Sequence, residues 1–546
     1  MVLRSALSES VAVFGRIARN SNVLRLQAAW AASNLGSRAS AVGVAVYAYE
    51  ANGVTAVGVV AAVRLAAAAL AAPWLSVLAD RRPRRSVLLG SDLARCAVFG
   101  GMAALVASGA PSLAVYALAV AAAVAEPVFR SAQAAFTPSL VSSPEELTAA
   151  NVVASTVESV GLFVGPAFGA LLLVGTGTAT LFGACALVLL GSVAFVAMID
   201  APGRPSPREN GDERGFLAGW KAIASDSGLR VVVGLFSIQT LVAGMLNVLV
   251  VVIAFELLDL GKAGVGWLDG TVGIGATAGV LVVTAVTGGR GLARPFALGL
   301  LLWGFPLLAI GLWPEAVPAF ALMALLGLGN TLVDVAGMTL LRRLAAEDVI
   351  GRVFGVFESV VLVAMGAGSL LAPLLDSALG TRGAVLVAGA ILPLALLPLY
   401  RPLVVHEPAG VTPLRLALLR GVPIFEPLPL RALERLARRA EELDLAGGST
   451  VFEEGDEGDR FFVIEGGRAA VDVHETGARE LGPGDFFGEI ALLRDVPRTA
   501  TVRALTPLRL LALDRQTFVD TVTGHAASTD AAAQVVVGRL RAPVGS

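Results

Sequence analysis

Between Phe487 and Thr501 the chain reads FGEIALLRDVPRTAT, a spacing suited to holding an anion. Gly488 lacks a Cβ and permits close backbone approach, and a short helix starting near Glu489 would direct backbone amides, such as that of Ala491, at the ligand. A second group of candidates consists of ionisable side chains inside long apolar stretches: Arg64, Asp92 with Arg95, Glu126 with Arg130, Glu158, Asp334 and Glu358. Such groups are costly in a bilayer and tend to face a bundle interior, so each is a candidate for substrate or proton handling. Glu158, Glu358 and then Asp334 are the carboxylates expected to load and release a proton as a cavity alternates. The three histidines, His406, His474 and His525, lie outside these stretches without metal-ligand spacing, and no nucleophile motif occurs, so neither an enzyme, a metal site nor a cofactor is expected. Cys96 and Cys185 read as small buried hydrophobes.

The elements that must carry these residues are mostly membrane helices. Charged residues make up 15% of the 546 positions, and the mean hydropathy is +0.76. Apolar blocks long enough to cross a hydrocarbon core begin near residues 24, 53, 85, 111, 146 and 176, then near 230, 263, 292, 315, 348 and 382. The Pro-, Gly- and charge-rich stretch from Ala201 to Gly215 separates the two sets and reads as a linker. The expected fold is therefore an α-helical membrane bundle of about twelve transmembrane helices in two six-helix repeats, followed by a C-terminal β-roll or barrel with flanking helices. The expected boundaries are 1–200 and 230–403 for the halves, 201–229 for a cytoplasmic central linker, 404–420 for a second linker and 421–546 for the soluble domain. Arg-dense joints at Arg81 to Arg85 and at Arg290 with Arg294 follow even-numbered spans, which places both termini in the cytoplasm of a bacterial-type inner membrane. The net charge of −2 comes with no basic face and implies no nucleic-acid partner.

The halves share a Glu-Ser-Val core, ASTVESVGLF around Glu158 and FGVFESVVLV around Glu358, 200 residues apart. Parallel six-helix halves place a substrate route at their interface. The loop SVLADRRPRR from Ser76 to Arg85 resembles the signature of the major facilitator superfamily, with Asp80, Arg81, Arg84 and Arg85 at matching positions. The resemblance implies a cytoplasmic gate in which Asp80 accepts from an arginine, here Arg130, while the remaining arginines stay with lipid headgroups. Gly161, Gly165, Pro166 and Gly169 resemble the helix motif of that superfamily's proton-coupled exporters, including siderophore and multidrug exporters. This implies export of a small, partly apolar molecule.

The Phe487–Thr501 segment, preceded by short alternating stretches with Gly-Asp turns, resembles the phosphate-binding cassette of cyclic-nucleotide-binding domains. The resemblance implies that Phe487, Gly488, Glu489, Ile490, Ala491, Arg498, Thr499 and Ala500 line a site for cAMP or cGMP. Arg498 would pair with the cyclic phosphate and Glu489 would accept from the ribose 2′-hydroxyl, while the amide of Thr499 completes the phosphate shell and its hydroxyl could bond a guanine amino group. A helix over 530–540 would cover the base with Val535, Val536, Val537 and Leu540. The expected protein is a regulated transporter, with a transporter-like receptor as alternative and a nucleotide-gated channel as a minor one, because Thr271 to Gly275 reads TVGIG like a potassium filter. Domains of this kind can also assemble homodimers.

Overall fold

The computed structural model describes residues 20–80, 82–200, 214–286, 291–345, 349–406, 413–473 and 477–541. They fall into two compact units, Met1–Pro408 and Ala409–Ser546.

In the first unit ten helices are long and apolar enough to cross a membrane among the described residues. Two of them are much longer than the roughly 20 residues a bilayer requires. Ser21–Asp80 is broken at Asn52 (φ −144°) and Gly53 (φ +72°), and Ile350–Val405 at Gly380 (φ +71°). A positive φ costs a Cβ-bearing residue energy that glycine does not pay, so the chain turns there. The twelve resulting segments are α1 (21–51), α2 (54–80), α3 (Arg84–Ala107), α4 (Ser112–Leu140), α5 (Pro144–Gly175) and α6 (Thr178–Ala197) in one half. In the other half, after α7 (Arg214–Ser225), come α8 (Ser227–Val252), α9 (Gly261–Val286), α10 (Ala293–Leu312), α11 (Ala316–Leu332), α12 (350–379) and α13 (381–405). Wider turns interrupt two of them, at Ile253–Leu257 after α8 and Val333–Gly337 after α11. The stretch read as linker thus contains the helix α7, because Ile223 is buried and Gly219 lies where an added Cβ would stand 2.4 Å from the Arg352 carbonyl oxygen of α12.

Small residues set the seams between the halves. A Cβ on Gly266 of α9 would lie 2.4 Å from the Pro166 carbonyl oxygen of α5, and one on Gly58 of α2 would lie 2.4 Å from the Ser369 carbonyl oxygen of α12. Backbones this close gain dispersion contacts that larger side chains would prevent. Inside the first half, Asp92 and Arg95 of α3 form a closed network. Asp92 Oδ1 accepts from Arg95 Nη1 (3.0 Å) and Ser33 Oγ (3.2 Å), and Oδ2 accepts from Ser192 Oγ (2.5 Å). Arg95 also donates to Ser33 and Ser37 of α1.

The second unit begins with α14 (Pro413–Arg420) and α15 (Leu430–Arg439). Two antiparallel sheets follow, ordered β1-β8-β3-β6 and β2-β7-β4-β5. Their strands are β1 (Glu441–Leu445), β2 (Thr450–Phe452), β3 (Arg460–Gly466), β4 (Ala469–Val473), β5 (Gly477–Leu481), β6 (Phe486–Phe487), β7 (Thr501–Ala504) and β8 (Leu508–Asp514). The period of two sorts each strand between two cores. Phe461, Val463, Leu511 and Leu513 pack against the helices, whereas Phe462, Ile464, Leu510 and Ala512 fill the space between the sheets. With both faces covered, β3 and β8 read as continuous apolar runs rather than alternating ones. A short α16 (Glu489–Arg494) follows β6, and α17 (Arg515–Thr523) and α18 (Ala526–Arg541) close the chain.

Candidate nucleotide site and transport route

The anion-binding segment is shaped by Gly488, which stands between β6 and α16 at φ +90°. A Cβ there would lie 2.8 Å from Arg498 Nη1 and 3.0 Å from the Arg460 carbonyl oxygen. Gly488→Ala is therefore expected to destabilise the second unit by about 1 to 2 kcal/mol from the left-handed backbone alone, and to weaken nucleotide binding with it. Paired thermal melts and ligand titrations of the full chain check this, and unchanged values in both would contradict it.

Arg498 is 3% exposed and lies with its guanidinium 4.2 Å from the centre of the Phe452 ring. It donates to the carbonyl oxygens of Gly488 (3.2 Å) and Arg460 (2.8 Å) and to Asp459 Oδ1 (3.3 Å). Its own backbone is pinned, the N–H donating to the Asp456 carbonyl oxygen (2.8 Å) and the carbonyl oxygen accepting from Gly455 (2.9 Å). Burial lowers the guanidinium pKa from its ordinary value, opposed chiefly by Asp459. An arginine nevertheless keeps its charge. Its Nε is buried without a partner, so a charge-assisted donor remains that an anion would satisfy. Glu489 is 1% exposed; burial raises its pKa, opposed by the cation Arg539. Phe487, Ala491 and Ala500 are buried, Ile490 is half-buried and Thr499 is exposed. The constellation fits a small anionic ligand with hydroxyl groups.

In the first unit a cavity of about 410 Å³ opens between the halves. Val44, Ala48, Val60, Val250 and Leu362 are among the apolar residues on its walls, and its polar groups are Arg64, Glu126, Asn247 and Asp269. A smaller cavity of about 160 Å³ in the first half is lined by Ser33, Ser37, Arg38, Arg95, Arg130 and Glu158, among others. Contacts across the halves gather at the end that carries the breaks at Gly53 and Gly380. There Lys262 Nζ lies 2.6 Å from Glu50 Oε1, and Glu256 accepts from Tyr49 (2.7 Å) of one half and Thr381 (2.6 Å) of the other.

Comparison with known proteins places this geometry. The profile of the Major Facilitator Superfamily matches residues 29–261 and 235–441, most of the chain, and that of the cyclic nucleotide-binding domain matches residues 442–525. The chain belongs to the Major Facilitator Superfamily. This facilitator, with its C-terminal cyclic-nucleotide-binding domain, is 40% identical over 117 residues to an uncharacterised protein of Mycobacterium tuberculosis, covering 21% of this chain and 23% of that one. It is also 40% identical over 102 residues to a cyclic nucleotide-gated potassium channel of Mesorhizobium japonicum, covering 18% and 28%. The chain thus spans about a quarter of the length of the curated relatives it matches. Among solved structures, the regulatory domain of Toxoplasma gondii PKA with cAMP matches at 23% identity and a TM-score of 0.21, over 23% of this chain and 49% of that one.

The facilitator's other expected residues fall in several places. Arg81 and the side chain of Asp80 lie outside the described residues. Arg130 forms an ion pair with Glu158 at 2.8 Å, because α4 and α5 bring these two side chains together, while its expected pairing with Asp80 falls on a side chain outside the described residues. The expectation that Arg84 and Arg85 stay with lipid headgroups is corrected. Arg84 is 7% exposed, and Arg85 donates to the Val196 (3.3 Å) and Ala197 (2.5 Å) carbonyl oxygens at the end of α6. In α5, a Cβ on Gly161 would lie 2.1 Å from Asn34 Oδ1 and one on Gly165 2.2 Å from Arg38 Cβ, so the glycine stripe, with Gly169, faces α1, whereas the Pro166 carbonyl oxygen meets Gly266 of α9. Glu358 is exposed on α12, and Asp334, also exposed, accepts from Asn330 (2.9 Å). Of the ionisable candidates only Arg64 and Glu126 line the larger cavity.

Sequence reasoning passed over Asp269, although an acid inside the apolar block of α9 meets the same criterion as the others. It also missed Arg539, Phe452 and the pairs Glu50–Lys262 and Tyr49–Glu256, whose charges read as ordinary span ends. The TVGIG stretch lies inside helix α9, where Thr271 Oγ1 donates to the Leu268 carbonyl oxygen (2.7 Å). Carbonyls engaged in a helix do not line an ion filter. On the final helix, Val535 and Val536 pack inward, Val537 is exposed, and the side chain of Leu540 lies outside the described residues.

Proposed function

We propose that this facilitator is a secondary active transporter, a proton-coupled exporter of small organic molecules, whose activity is set by cAMP or cGMP bound at Gly488, Glu489 and Arg498. The observation that carries the regulatory half is the buried Arg498, whose unpartnered Nε faces no internal acceptor. The transport half is supported by the cavity between the halves, by the contacts that join them at one end, and by the Gly161–Gly169 stripe. The mixture of apolar walls with Arg64, Glu126, Asn247 and Asp269 suits a substrate that is partly apolar and carries polar groups. Both termini are taken to face the cytoplasm of a bacterial-type inner membrane, where a nucleotide sensor meets its ligand. Such a sensor domain could pair two chains as a homodimer.

Regulation of the alternation between inward- and outward-facing states needs the nucleotide to bind one state more tightly, and a tenfold preference corresponds to about 1.4 kcal/mol. In proteoliposomes with an imposed pH gradient, flux of a lipophilic test substrate is expected to change at least severalfold when saturating cAMP or cGMP is supplied on the sensor side. Glu158→Gln or Glu358→Gln is expected to uncouple that flux from the gradient. Flux indifferent to both nucleotides would refute regulation, and coupling unchanged in both variants would remove these carboxylates from the mechanism. Nucleotide binding with no flux of any tested substrate would favour a transporter-like receptor.

A further inference from the structure

The cavity between the halves of the membrane unit holds charges that the protein leaves unpaired. Arg64 of α2 and Glu126 of α4 line it from one half, and Asn247 of α8 and Asp269 of α9 line it from the other. The Arg64 Nε is buried without a hydrogen-bond partner. Among the described residues, no ion pair or side-chain hydrogen bond is made by Arg64, Glu126 or Asp269. Elsewhere in the same unit charges are matched at contact distance: Asp92 with Arg95 at 3.0 Å, Arg130 with Glu158 at 2.8 Å and Lys262 with Glu50 at 2.6 Å. The cavity residues are thus set apart from the structural pairs around them.

Ionisable groups at membrane depth are costly unless they are paired or serve a ligand. The balance of charge says which ligand. Glu126 is the carboxylate whose field reaches Arg64, and Arg38 of α1 is the cation whose field reaches Asp269. Arg38 lines the smaller cavity, which meets the larger one at Glu126 and Pro127, residues common to both. Two cations and two carboxylates cancel, which favours a ligand without net charge. Because they stand apart, they still offer a fixed cation to an anionic group and a fixed carboxylate to a cationic one. Apolar walls and a volume of about 410 Å³ suit an organic body between the two.

We propose that this cavity takes zwitterionic organic molecules, with Arg64 receiving the anionic group and Asp269 the cationic one. This rests on the reading of the membrane unit as a transporter of small organic molecules. Glu126, not Asp269, lies in the field of Arg64, so Asp269 is the carboxylate left for a cation that an apolar body sets off from the anion. Arg64 and Asp269 belong to opposite halves, and a zwitterion engages both at once. A singly charged molecule satisfies one half and leaves the other charge desolvated without a partner, which is how the site discriminates against it.

The test compares four radiolabelled forms of one naphthyl scaffold, bearing a quaternary ammonium, a sulfonate, both or neither, so that no ligand charge titrates. Flux is measured with the full chain in proteoliposomes and equilibrium binding with the full chain in lipid nanodiscs. The doubly charged form is expected to bind about tenfold or more tightly than each of the others and to give the largest flux. Arg64→Gln is expected to bind the ammonium and doubly charged forms equally, Asp269→Asn the sulfonate and doubly charged forms equally, and Arg64→Lys to keep part of the parent's preference. The parent's own order of preference tests the assignment even where a variant fails to fold. A parent chain that prefers a singly charged or uncharged form, or a folded Arg64→Gln or Asp269→Asn protein that keeps the parent's full order, overturns the assignment and leaves transport standing. Binding of the doubly charged form in the expected order without flux of any form upholds the assignment and refutes the transport reading. Neither binding nor flux of any form, by a chain that melts cooperatively, overturns both.

Discussion

Replacing Arg498 by Gln is expected to weaken cAMP and cGMP binding by about a hundredfold or more, the largest single effect on the sensor. The estimate follows from a charge-assisted hydrogen bond in a buried setting, worth roughly 1.5 to 3 kcal/mol, together with loss of the cation itself. Arg498 also holds the carbonyl oxygens of Gly488 and Arg460, so its removal loosens the turn that shapes the anion cradle. Arg498→Lys separates these roles. A lysine keeps the charge but lacks the planar fork that lets Arg498 serve both carbonyls and a ligand, and intermediate affinity is expected. Calorimetry on the full chain, with a thermal melt to establish folding, is the measurement. A folded Arg498→Gln protein that binds either nucleotide as tightly as the parent would dismiss the site.

A second large effect is expected in the membrane unit, on stability. Asp92 and Arg95 are 0% and 1% exposed, and every oxygen of Asp92 accepts a hydrogen bond. Asp92→Ala leaves the Arg95 charge buried without its counter-ion, which costs about 3 to 5 kcal/mol. The double replacement Asp92→Leu with Arg95→Leu removes both charges and is expected to recover most of that loss, since an apolar pair avoids the desolvation penalty. Unfolding in detergent, followed by tryptophan fluorescence, reports the order of stabilities. If the double variant were no more stable than Asp92→Ala, the pair would not be the source of the effect.

These two residue groups show how differently the sequence speaks about each. The anion cradle is contiguous: Gly488, Glu489 and Arg498 lie within eleven positions, and their spacing already implies a loop, a helix start and a cation. The span breaks at Gly53 and Gly380 are also legible, because length limits on a membrane helix require a turn near them. The Arg130 assignment went differently. The motif some fifty residues away names Asp80 as its partner, and the packing of α4 on α5 supplies Glu158, which no local pattern announces. Asp92 and Arg95 were visible as a pair, but Ser33, Ser37 and Ser192, which make the network complete, come from α1 and α6 and carry no sequence signal for it. Likewise α7 had the composition of a linker at its start, and its helical state depends on a surface of α12 that the local sequence does not contain.

Taken alone, the amino-acid sequence determined what local pattern can encode: twelve apolar segments, two similar halves, a β-rich terminal domain and the cassette with Gly488, Glu489 and Arg498. Hydropathy, helix length and backbone permissiveness act over a few turns, so they are written in consecutive residues. Only the tertiary structure decided which charges meet. Glu489 with Arg539, Arg130 with Glu158, Glu50 with Lys262, and Asp269 at the cavity are each brought together by helices or strands distant in sequence. Burial then fixes their worth, because excluding solvent strengthens an ion pair that is made and makes an unpartnered donor costly, and exclusion belongs to the packed whole.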